Sequence, residues 1–399
     1  MTPGPWLRLL AIASTAGVAA VVATGEWGLA HDVVANITLV LLAAVVLCAR
    51  FAYRNRRTLL VASGSAFGLF GLAGLSALAG APTAVHLTLG ASALVASAVA
   101  AAVCARGGEP VSRAAWRDYL TLTKPRIMVL LLLTAAGGMF VGAEGVPPAG
   151  LFLATMAGLA LACGGASALN HVLDRDIDVH MRRTDKRPVA TGRMPVERAL
   201  EFGLALSALS FVVLASFVNV LAAVLALAGG LFYVLVYTRW LKRSTPQNIV
   251  IGGAAGAVPP LVGWAAATGG LTLNALYPFA VVFLWTPPHF WALALLVKDD
   301  YERSGIPMLP VARGEAATRR QILAYSLVLV AFTAMPFLTG LFGVLYLVAA
   351  AALGACFVGL AAQLALRPSK EAAVRLHLGS LAYLALLFCA MAADRVLLG

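Results

Sequence analysis

Charged residues are scarce in this sequence: they make up only 12% of the 399 residues, whereas 61% are hydrophobic. Soluble globular domains carry about 25% charged residues, so the composition excludes an ordinary soluble domain. Cysteine is also scarce, with five residues and no paired spacing, which argues against disulfides and a cysteine-based metal site. Segments of alternating polarity, about ten residues long, are missing as well, which argues against a membrane β-barrel.

Long apolar runs are abundant. Each run has about 20 residues, the length that a helix needs to cross a hydrocarbon core of roughly 30 Å. We expect about thirteen spans, at 6–25, 33–53, 58–80, 86–105, 127–147, 151–170, 199–218, 220–238, 248–268, 275–297, 321–340, 343–366 and 376–397. Only Arg8 precedes the core of the first run, and no good cleavage site follows it, so we expect a retained anchor. The sequence therefore predicts an all-α polytopic membrane protein.

The net charge of +12 falls on one side of the predicted membrane. If the N-terminus is inside, the inner segments hold every Lys and Arg except Arg395, and the outer connections hold none. Cytoplasmic loops carry this kind of excess. We therefore expect a multi-pass inner-membrane protein with its N-terminus and charged loops in the cytoplasm and its C-terminus outside. Orientation in the lipid bilayer explains the basic charge, so we expect no nucleic-acid partner.

A polar stretch divides the predicted spans into four and nine. We expect an N-terminal four-helix membrane domain at 1–105, a cytoplasmic linker with an amphipathic lead-in at 106–126, and a nine-helix domain at 127–399. In the nine-helix domain the outer loops are short, whereas three inner loops are long and charged: 170–198, 238–247 and 298–320. Functional residues concentrate on loops held by a rigid scaffold, so we expect the active surface on the cytoplasmic side.

The first charged loop combines acids and bases in the stretch NHVLDRDIDVHMRRTDKRP. Three potential oxygen ligands are spaced by four residues: Asn170, Asp174 and Asp178. On a helix this spacing places them on one face, and such oxygens suit Mg²⁺, which binds through one or two carboxylates plus substrate phosphates. Arg183 and Arg187 suit the phosphates. The pattern favours a metal-bridged diphosphate over the alternative, a solvated and salt-bridged loop.

Other predicted spans also end next to charged residues. The stretch KDDYER begins after an apolar run and places Asp299 and Asp300 among bases. Basic side chains lie at two further span ends: Lys124, Arg126, Lys242 and Arg243. We expect the acids to face each other across a central cavity and the bases to stabilise a diphosphate leaving group. Taken alone, the second acidic cluster is equally compatible with a structural role. Each basic pair, taken alone, is compatible with a role in setting the membrane topology.

The charged loops belong to a longer series of motifs. In order, these are NxxxDxxxD and MxRTxxRP within 170–188, YTxxLKR at 237–243, GAxPPxxGW at 256–264, PHFWALAL at 288–295 and DYxxxGIPMLPV at 300–311. Over roughly 115–397 the series resembles the UbiA-type membrane prenyltransferases, and within them the protoheme IX farnesyltransferase (heme O synthase) branch. The runner-up is a UbiA-type enzyme acting on a quinone precursor. A transporter is less favoured, because transporters place their charge near the membrane midplane.

The resemblance implies a nine-helix bundle that uses Mg²⁺ and farnesyl diphosphate. It implies transfer of farnesyl to a vinyl group of heme B (protoheme IX), with addition of water, to give heme O for terminal oxidases. A heme A synthase and oxidase assembly factors are the protein partners that this product suggests. The expected metal-binding catalytic residues are Asn170, Asp174, Asp178 and Asp300. The expected substrate-binding residues are Lys124, Arg126, Arg183, Arg187, Tyr237, Lys242, Arg243, His289 and Asp299.

The second acidic motif departs from the wider superfamily, which shows another DxxxD. Here Asp299 is followed four positions later by Arg303, so we weight Asp300 above Asp299 and expect fewer carboxylates at a second metal site.

Several histidines have separate expectations. His289 is polar inside a span and therefore functional by default; heme contact or axial ligation is weighed equally against a hydrogen-bonded core position. We expect His171 and His180 to be solvated. Residues 1–105 resemble half of a heme A synthase, in which His31 and His86 would ligate an additional heme; the alternative is a pair of interfacial histidines.

Overall fold

The computed structural model describes residues 5–24, 29–52, 57–78, five positions between 93 and 101, and 116–398. Regular structure in these ranges is entirely helical. Three apolar helices come first: α1 (Pro5–Thr24), α2 (Leu29–Ala52) and α3 (Arg57–Leu78). A short helix, α4 (Trp116–Thr123), follows. The long helices are then α5 (Pro125–Gly142), α6 (Ala149–Leu173), α7 (Val196–Phe217), α8 (Val220–Ser244), α9 (Asn248–Thr268), α10 (Leu273–Leu296), α11 (Gly314–Leu338), α12 (Val344–Leu366) and α13 (Lys370–Leu397).

Nine helices within 116–398 are long and apolar enough to cross a membrane. The chain is therefore a multi-pass membrane protein, and each of the nine overlaps one span predicted from the sequence. The all-α prediction is confirmed. Helices α1 to α3 overlap the first three predicted runs, whereas most of the fourth, 86–105, lies outside the described residues, as does the linker at 106–115.

Small residues set how closely the helices cross. A Cβ atom at Gly263 of α9 would overlap the carbonyl oxygen of Ala135 in α5, and one at Gly138 would overlap that of Pro260. Lipid tails are as apolar as leucine, so membrane helices associate largely through close van der Waals packing, for which glycine gives room. Helices α9 and α10 have the largest buried share of the nine and form the centre of the bundle.

The first three helices lie against α7. Ala205 and Ala208 of α7 share a buried cluster with residues of α1 to α3. At the charged end, the rings of Trp6, Tyr119 and Phe202 pack together with centroid separations of 5.0–6.1 Å. The N-terminal helices thus reach the nine-helix bundle mainly from one flank.

The alternation of the nine helices brings the charged loops together. Because consecutive spans run in opposite directions, α5, α7, α9, α11 and α13 begin on the side where α6, α8, α10 and α12 end. The long charged connections between these helices therefore all lie at one end of the bundle. This end holds the candidate site.

Candidate active site

The acidic motif begins on α6 and continues beyond it. The helix ends at Leu173, Asp174 caps it with φ −90° and ψ 0°, and a separate short helix spans Arg175–Asp178. Backbone hydrogen bonds still step by four residues, from Asp174 N to Asn170 O at 2.9 Å and from Asp178 N to Asp174 O at 2.8 Å. The side chains of Asn170 and Asp174 meet, because Asn170 Nδ2 donates to Asp174 Oδ2 at 2.8 Å. All three motif residues are buried.

Two lysines from other helices converge on this pair. Lys124 Nζ donates to Asn170 Oδ1 at 2.8 Å, and Lys242 Nζ donates to Asp174 Oδ2 at 2.6 Å. Asn170 Nδ2 also donates to Thr238 Oγ1 at 3.1 Å. Helices α5, α6 and α8 are thereby tied together by one network of charged and polar side chains. We call these five residues the lysine–acid network.

Backbone geometry presents both lysines to the acids. Lys124 has φ 51° and ψ 59°, a left-handed conformation that non-glycine residues adopt at a cost of about 1–3 kcal/mol when the surrounding structure enforces it. Pro125 follows at the first position of α5, where proline suits a helix. In α8, residues Phe232–Leu241 form a π-helix, and Thr238 Oγ1 donates to Tyr233 O five residues earlier. Such wide turns are frequent at functional sites.

The third residue of the motif, Asp178, is paired with a cation of its own. Arg187 Nη1 donates to both carboxylate oxygens of Asp178 at 2.8 Å. Thr184 Oγ1 donates to Asp178 O at 3.2 Å, which closes the loop back onto the short helix. The motif MxRTxxRP thus folds over the acid that precedes it.

The second acidic cluster docks on the same loop. The backbone N–H of Arg183 donates to Asp300 Oδ2 at 3.3 Å, and Arg303 forms an ion pair with Asp300. Asp300 is buried, whereas Asp299 is exposed. Of these two carboxylates, the buried Asp300 is the one that joins the two charged loops.

Other predicted residues lie apart from the lysine–acid network. Arg126 is exposed and takes part in no described hydrogen bond or salt bridge, and the Arg183 side chain is exposed as well. Arg243 bonds Asp176 at 2.7 and 2.8 Å and the carbonyl of Leu173. The half-buried ring of Tyr237 stacks on that of Tyr233, with centroids 5.6 Å apart.

The electrostatics of the site favour an anionic ligand. Burial, followed by the nearby charge of Arg187, lowers the pKa of Lys124 to about 7. Burial raises the pKa of Asp178 despite its bond to Arg187. At the surface, by contrast, the hydrogen bond from Arg243 lowers the pKa of Asp176 to about 2. Crowded, buried cations are stabilised by a phosphate group, which can accept several of their hydrogen bonds.

The donor set fits Mg²⁺. Asp174 Oδ1 is buried and has no hydrogen-bond partner in the structure, which leaves one carboxylate oxygen for a cation. Within the described residues no three His, Cys, Asp or Glu side chains converge on one point. Magnesium needs no such cage, because it commonly binds through one or two carboxylates together with substrate phosphates and water.

The histidines are distributed differently from the expectation. His171 is buried and neither ring nitrogen has a hydrogen-bond partner, so the prediction that it is solvated is wrong; His180 is exposed.

His289 is buried within α10, where it contacts His377 and Ser380 of α13. The side chain of His31 and the whole of His86 lie outside the described residues. Sequence reasoning missed His171, Thr238 and the contribution of α13.

Comparison with known proteins gives a family match. A model described as the UbiA prenyltransferase family matches residues 131–389. The Protoheme IX farnesyltransferase of Symbiobacterium thermophilum is 57% identical over 280 residues, covering 70% of this chain and 94% of the relative. That of Thermus thermophilus is 54% identical over 293 residues, covering 72% of this chain but only 48% of the relative. That of Roseiflexus castenholzii is 42% identical over 409 residues, covering 93% and 76%.

Solved structures share the fold. A structure of digeranylgeranylglyceryl phosphate synthase superposes with a TM-score of 0.59 at 18% identity, covering 70% of this chain and 98% of the other. A UbiA homolog from Archaeoglobus fulgidus, bound to GPP and Mg²⁺, superposes with a TM-score of 0.50 at 17% identity, covering 69% and 99%. At such identities the likeness extends to the fold alone.

Proposed function

Because this chain belongs to the UbiA prenyltransferase family, we propose that it is an intramembrane farnesyltransferase that converts heme B to heme O. The proposal takes its acceptor and donor from the curated relatives, which are named Protoheme IX farnesyltransferase. A prenyl diphosphate with Mg²⁺ is the ligand pair of the Archaeoglobus fulgidus homolog. The same pair suits the acids and bases of this site.

The observation that carries the proposal is the lysine–acid network. Lys124 and Lys242 both reach oxygens of the Asn170–Asp174 pair from separate helices. The buried Lys242–Asp174 ion pair, like the burial of the Lys124 ammonium, is expensive to desolvate and gives little stability for that cost. Charges held at such a cost suit the binding of a charged group, and their place at the end of an apolar bundle suits a diphosphate with a lipid tail.

The metal-binding residues in this proposal are Asn170, Asp174 and Asp178, with Asp300 at the edge of the site. When bound, Mg²⁺ supplies charge stabilisation to the diphosphate. Lys124, Lys242 and Arg187 hold the phosphate oxygens from the other side and stabilise the negative charge that develops on them. Lys242 and Arg187 each pair with an aspartate of the motif, and Lys124 donates to the amide oxygen of Asn170.

The reaction balances as a transfer with hydration. The allylic C–O bond of farnesyl diphosphate breaks, and diphosphate keeps the electron pair. A new C–C bond forms to the terminal vinyl carbon of heme B, water adds a hydroxyl to the other vinyl carbon, and one proton is released. The apolar surroundings of α9 and α10 keep other water away from the allylic cation before it meets the vinyl group.

We also propose the placement of the chain. The charged end of the bundle faces the cytoplasm, by the positive-inside asymmetry, and the C-terminus lies outside the inner membrane. Residues 127–399 carry the transferase activity. A heme held by His31 and His86, and contacts with a heme A synthase or oxidase assembly factors, remain proposals from sequence resemblance.

The test is heme extraction from membranes of a host that makes no heme O of its own. Full-length chain with farnesyl diphosphate and Mg²⁺ should yield a more hydrophobic heme with the mass of heme O. Asp174→Asn should reduce the yield at least about 100-fold, because it removes a carboxylate that would hold the Mg²⁺ that stabilises the leaving diphosphate. Asp176→Asn is the matched control, since that aspartate lies at the surface with 60% of its side chain exposed.

Two results would contradict the proposal. A full-length chain that prenylates a quinone precursor and leaves heme B unchanged would favour the runner-up function. Normal heme O from inserted Asp174→Asn protein would exclude the role given to that carboxylate.

A further inference from the structure

A second polar cluster lies inside the bundle, between α10 and α13. The imidazole of His289 is sandwiched between the rings of Trp285 and His377, with centroids 4.3 and 4.5 Å away and interplanar angles of 16° and 23°. His289 is 7% exposed. Ionisable side chains within a membrane span are costly to bury and usually mark a functional site.

The depth of this cluster follows from the helix ends. Helix α10 ends at Leu296 and α13 begins at Lys370, and both ends lie on the charged side. His289 and His377 are each roughly seven residues from these ends, which is about 10 Å at 1.5 Å per residue. The imidazoles thus lie below the acids, at a depth suited to an apolar acceptor that must meet a prenyl chain.

Ser380 of α13 lies between His289 and a backbone carbonyl. Ser380 Oγ is 2.6 Å from His377 O, to which it can donate, and 2.7 Å from His289 Nδ1. When the hydroxyl donates to His377 O, Ser380 Oγ accepts from His289 Nδ1–H. In that tautomer Nε2 carries the lone pair, and no described residue hydrogen-bonds it.

The surrounding contacts also fix the plane of the ring. Trp285 Nε1 donates to Ser380 O at 2.8 Å, which holds the indole against one face of the imidazole. His377 covers the other face and makes only a 3.4 Å contact from Nδ1 to His289 O. Histidines that ligate metals usually donate their second ring N–H to an oxygen acceptor, which sets tautomer and orientation. Both histidines place Nδ1 near an oxygen atom, but the distance is 2.7 Å for His289 and 3.4 Å for His377. His289 is therefore the better oriented of the two.

We propose that His289 Nε2 is an axial ligand of the heme iron when the acceptor binds, and that Ser380 is the positioning residue that sets its tautomer. This inference rests on the proposed function, because it takes heme B as the acceptor. Ligation of the iron would hold the porphyrin at a constant distance from the acids. An acceptor held in one orientation reacts with the bound prenyl group without the entropy cost of a free encounter.

The experiment is a titration of the purified full-length chain with ferric heme B, followed by absorbance and electron paramagnetic resonance spectra. Wild-type protein should show a nitrogen-ligated iron. His289→Phe keeps an aromatic ring between Trp285 and His377 but removes the ligand, so the nitrogen-ligated spectrum should disappear and the Kd should rise at least about tenfold. His377→Phe and the surface variant His180→Phe should keep the wild-type spectrum.

Variants of Ser380 test the positioning role. Ser380→Ala removes the acceptor for Nδ1–H and should weaken heme binding by roughly 10- to 100-fold, the usual effect of losing an outer-shell partner. Ser380→Thr keeps the hydroxyl and should restore the wild-type spectrum. If His289→Phe inserts poorly, His289→Ala with added free imidazole takes its place, and recovery of the nitrogen-ligated spectrum is the expected result.

The outcomes separate this inference from the proposed function. Wild-type protein that makes heme O, together with an unchanged spectrum in the His289 variants, would overturn the ligation and leave the transferase intact. Asp174→Asn protein should bind ferric heme B with the wild-type spectrum while making at least about 100-fold less heme O. Wild-type protein that makes no heme O at all would contradict the proposed function instead.

Discussion

At the scale of single residues, burial separates two ion pairs that look alike in the sequence. Lys242 and Arg243 are neighbours, yet Lys242 pairs with the buried Asp174 at 2.6 Å while Arg243 pairs with Asp176 at the surface. The exposed pair is worth about 0–1 kcal/mol. The buried pair costs far more to desolvate, which supports the proposed role of its charges in binding the diphosphate.

This contrast predicts different effects for two adjacent substitutions. Lys242→Met should lower kcat/KM for farnesyl diphosphate at least about 100-fold, because a cation that stabilises the leaving group is lost and Asp174 keeps an unpaired buried charge. Arg243→Met should lower it less than about tenfold, since an exposed pair contributes little. Single-turnover assays with inserted protein measure both. Equal losses in the two variants would contradict the distinction between the buried cation, Lys242, and the surface cation, Arg243.

The sequence predicted which polar residues of the first charged loop lie close together, but only part of their environment. The four-residue spacing singled out Asn170, Asp174 and Asp178, and all three are buried, while their role as metal ligands stays a prediction. No local signal indicated that His171 is buried beside them. Its burial depends on neighbours from other elements, which a reading of one loop cannot supply.

At the scale of elements, the apolar runs predicted where the nine spans lie but not how their ends are shaped. Helix α6 ends at Leu173 and a short helix begins at Arg175, although backbone hydrogen bonds of the four-residue pattern continue through Asp174. The π-helix at Phe232–Leu241 has no distinctive composition. The widened turn of α8 contains Thr238, which accepts a hydrogen bond from Asn170, and it ends just before Lys242, which donates to Asp174.

Glycine positions in α9 give a prediction for the packing of the bundle. Gly263→Ala should destabilise the protein by about 1–3 kcal/mol, because the added methyl overlaps a backbone carbonyl of α5 that cannot rotate away. Gly256→Ala in the same helix is the matched control, since its Cβ would meet nothing within 4 Å. Thermal unfolding of both variants in detergent measures the difference. Equal melting temperatures would show that α5 and α9 cross less closely than described.

At the scale of the whole molecule, hydropathy and charge together predicted a membrane protein with its charged loops on one side. They also predicted a boundary near residues 106–126, which stays a prediction. The Symbiobacterium thermophilum relative matches this chain over 280 residues and 94% of its own length. A protein of that size has room for the nine-helix part and little more, which supports assigning the transferase activity to residues 127–399.

The last prediction concerns removal of the N-terminal helices. A chain beginning at Trp116 should insert and produce heme O within about twofold of the full-length yield, because lipid tails can replace the apolar contacts that α1 and α2 make with Ala205 and Ala208. Heme extraction, normalised to the amount of inserted protein, measures this. Loss of turnover in well-inserted truncated protein would instead show that the flank of α7 must be covered for the site to form, and the division into two parts would be wrong.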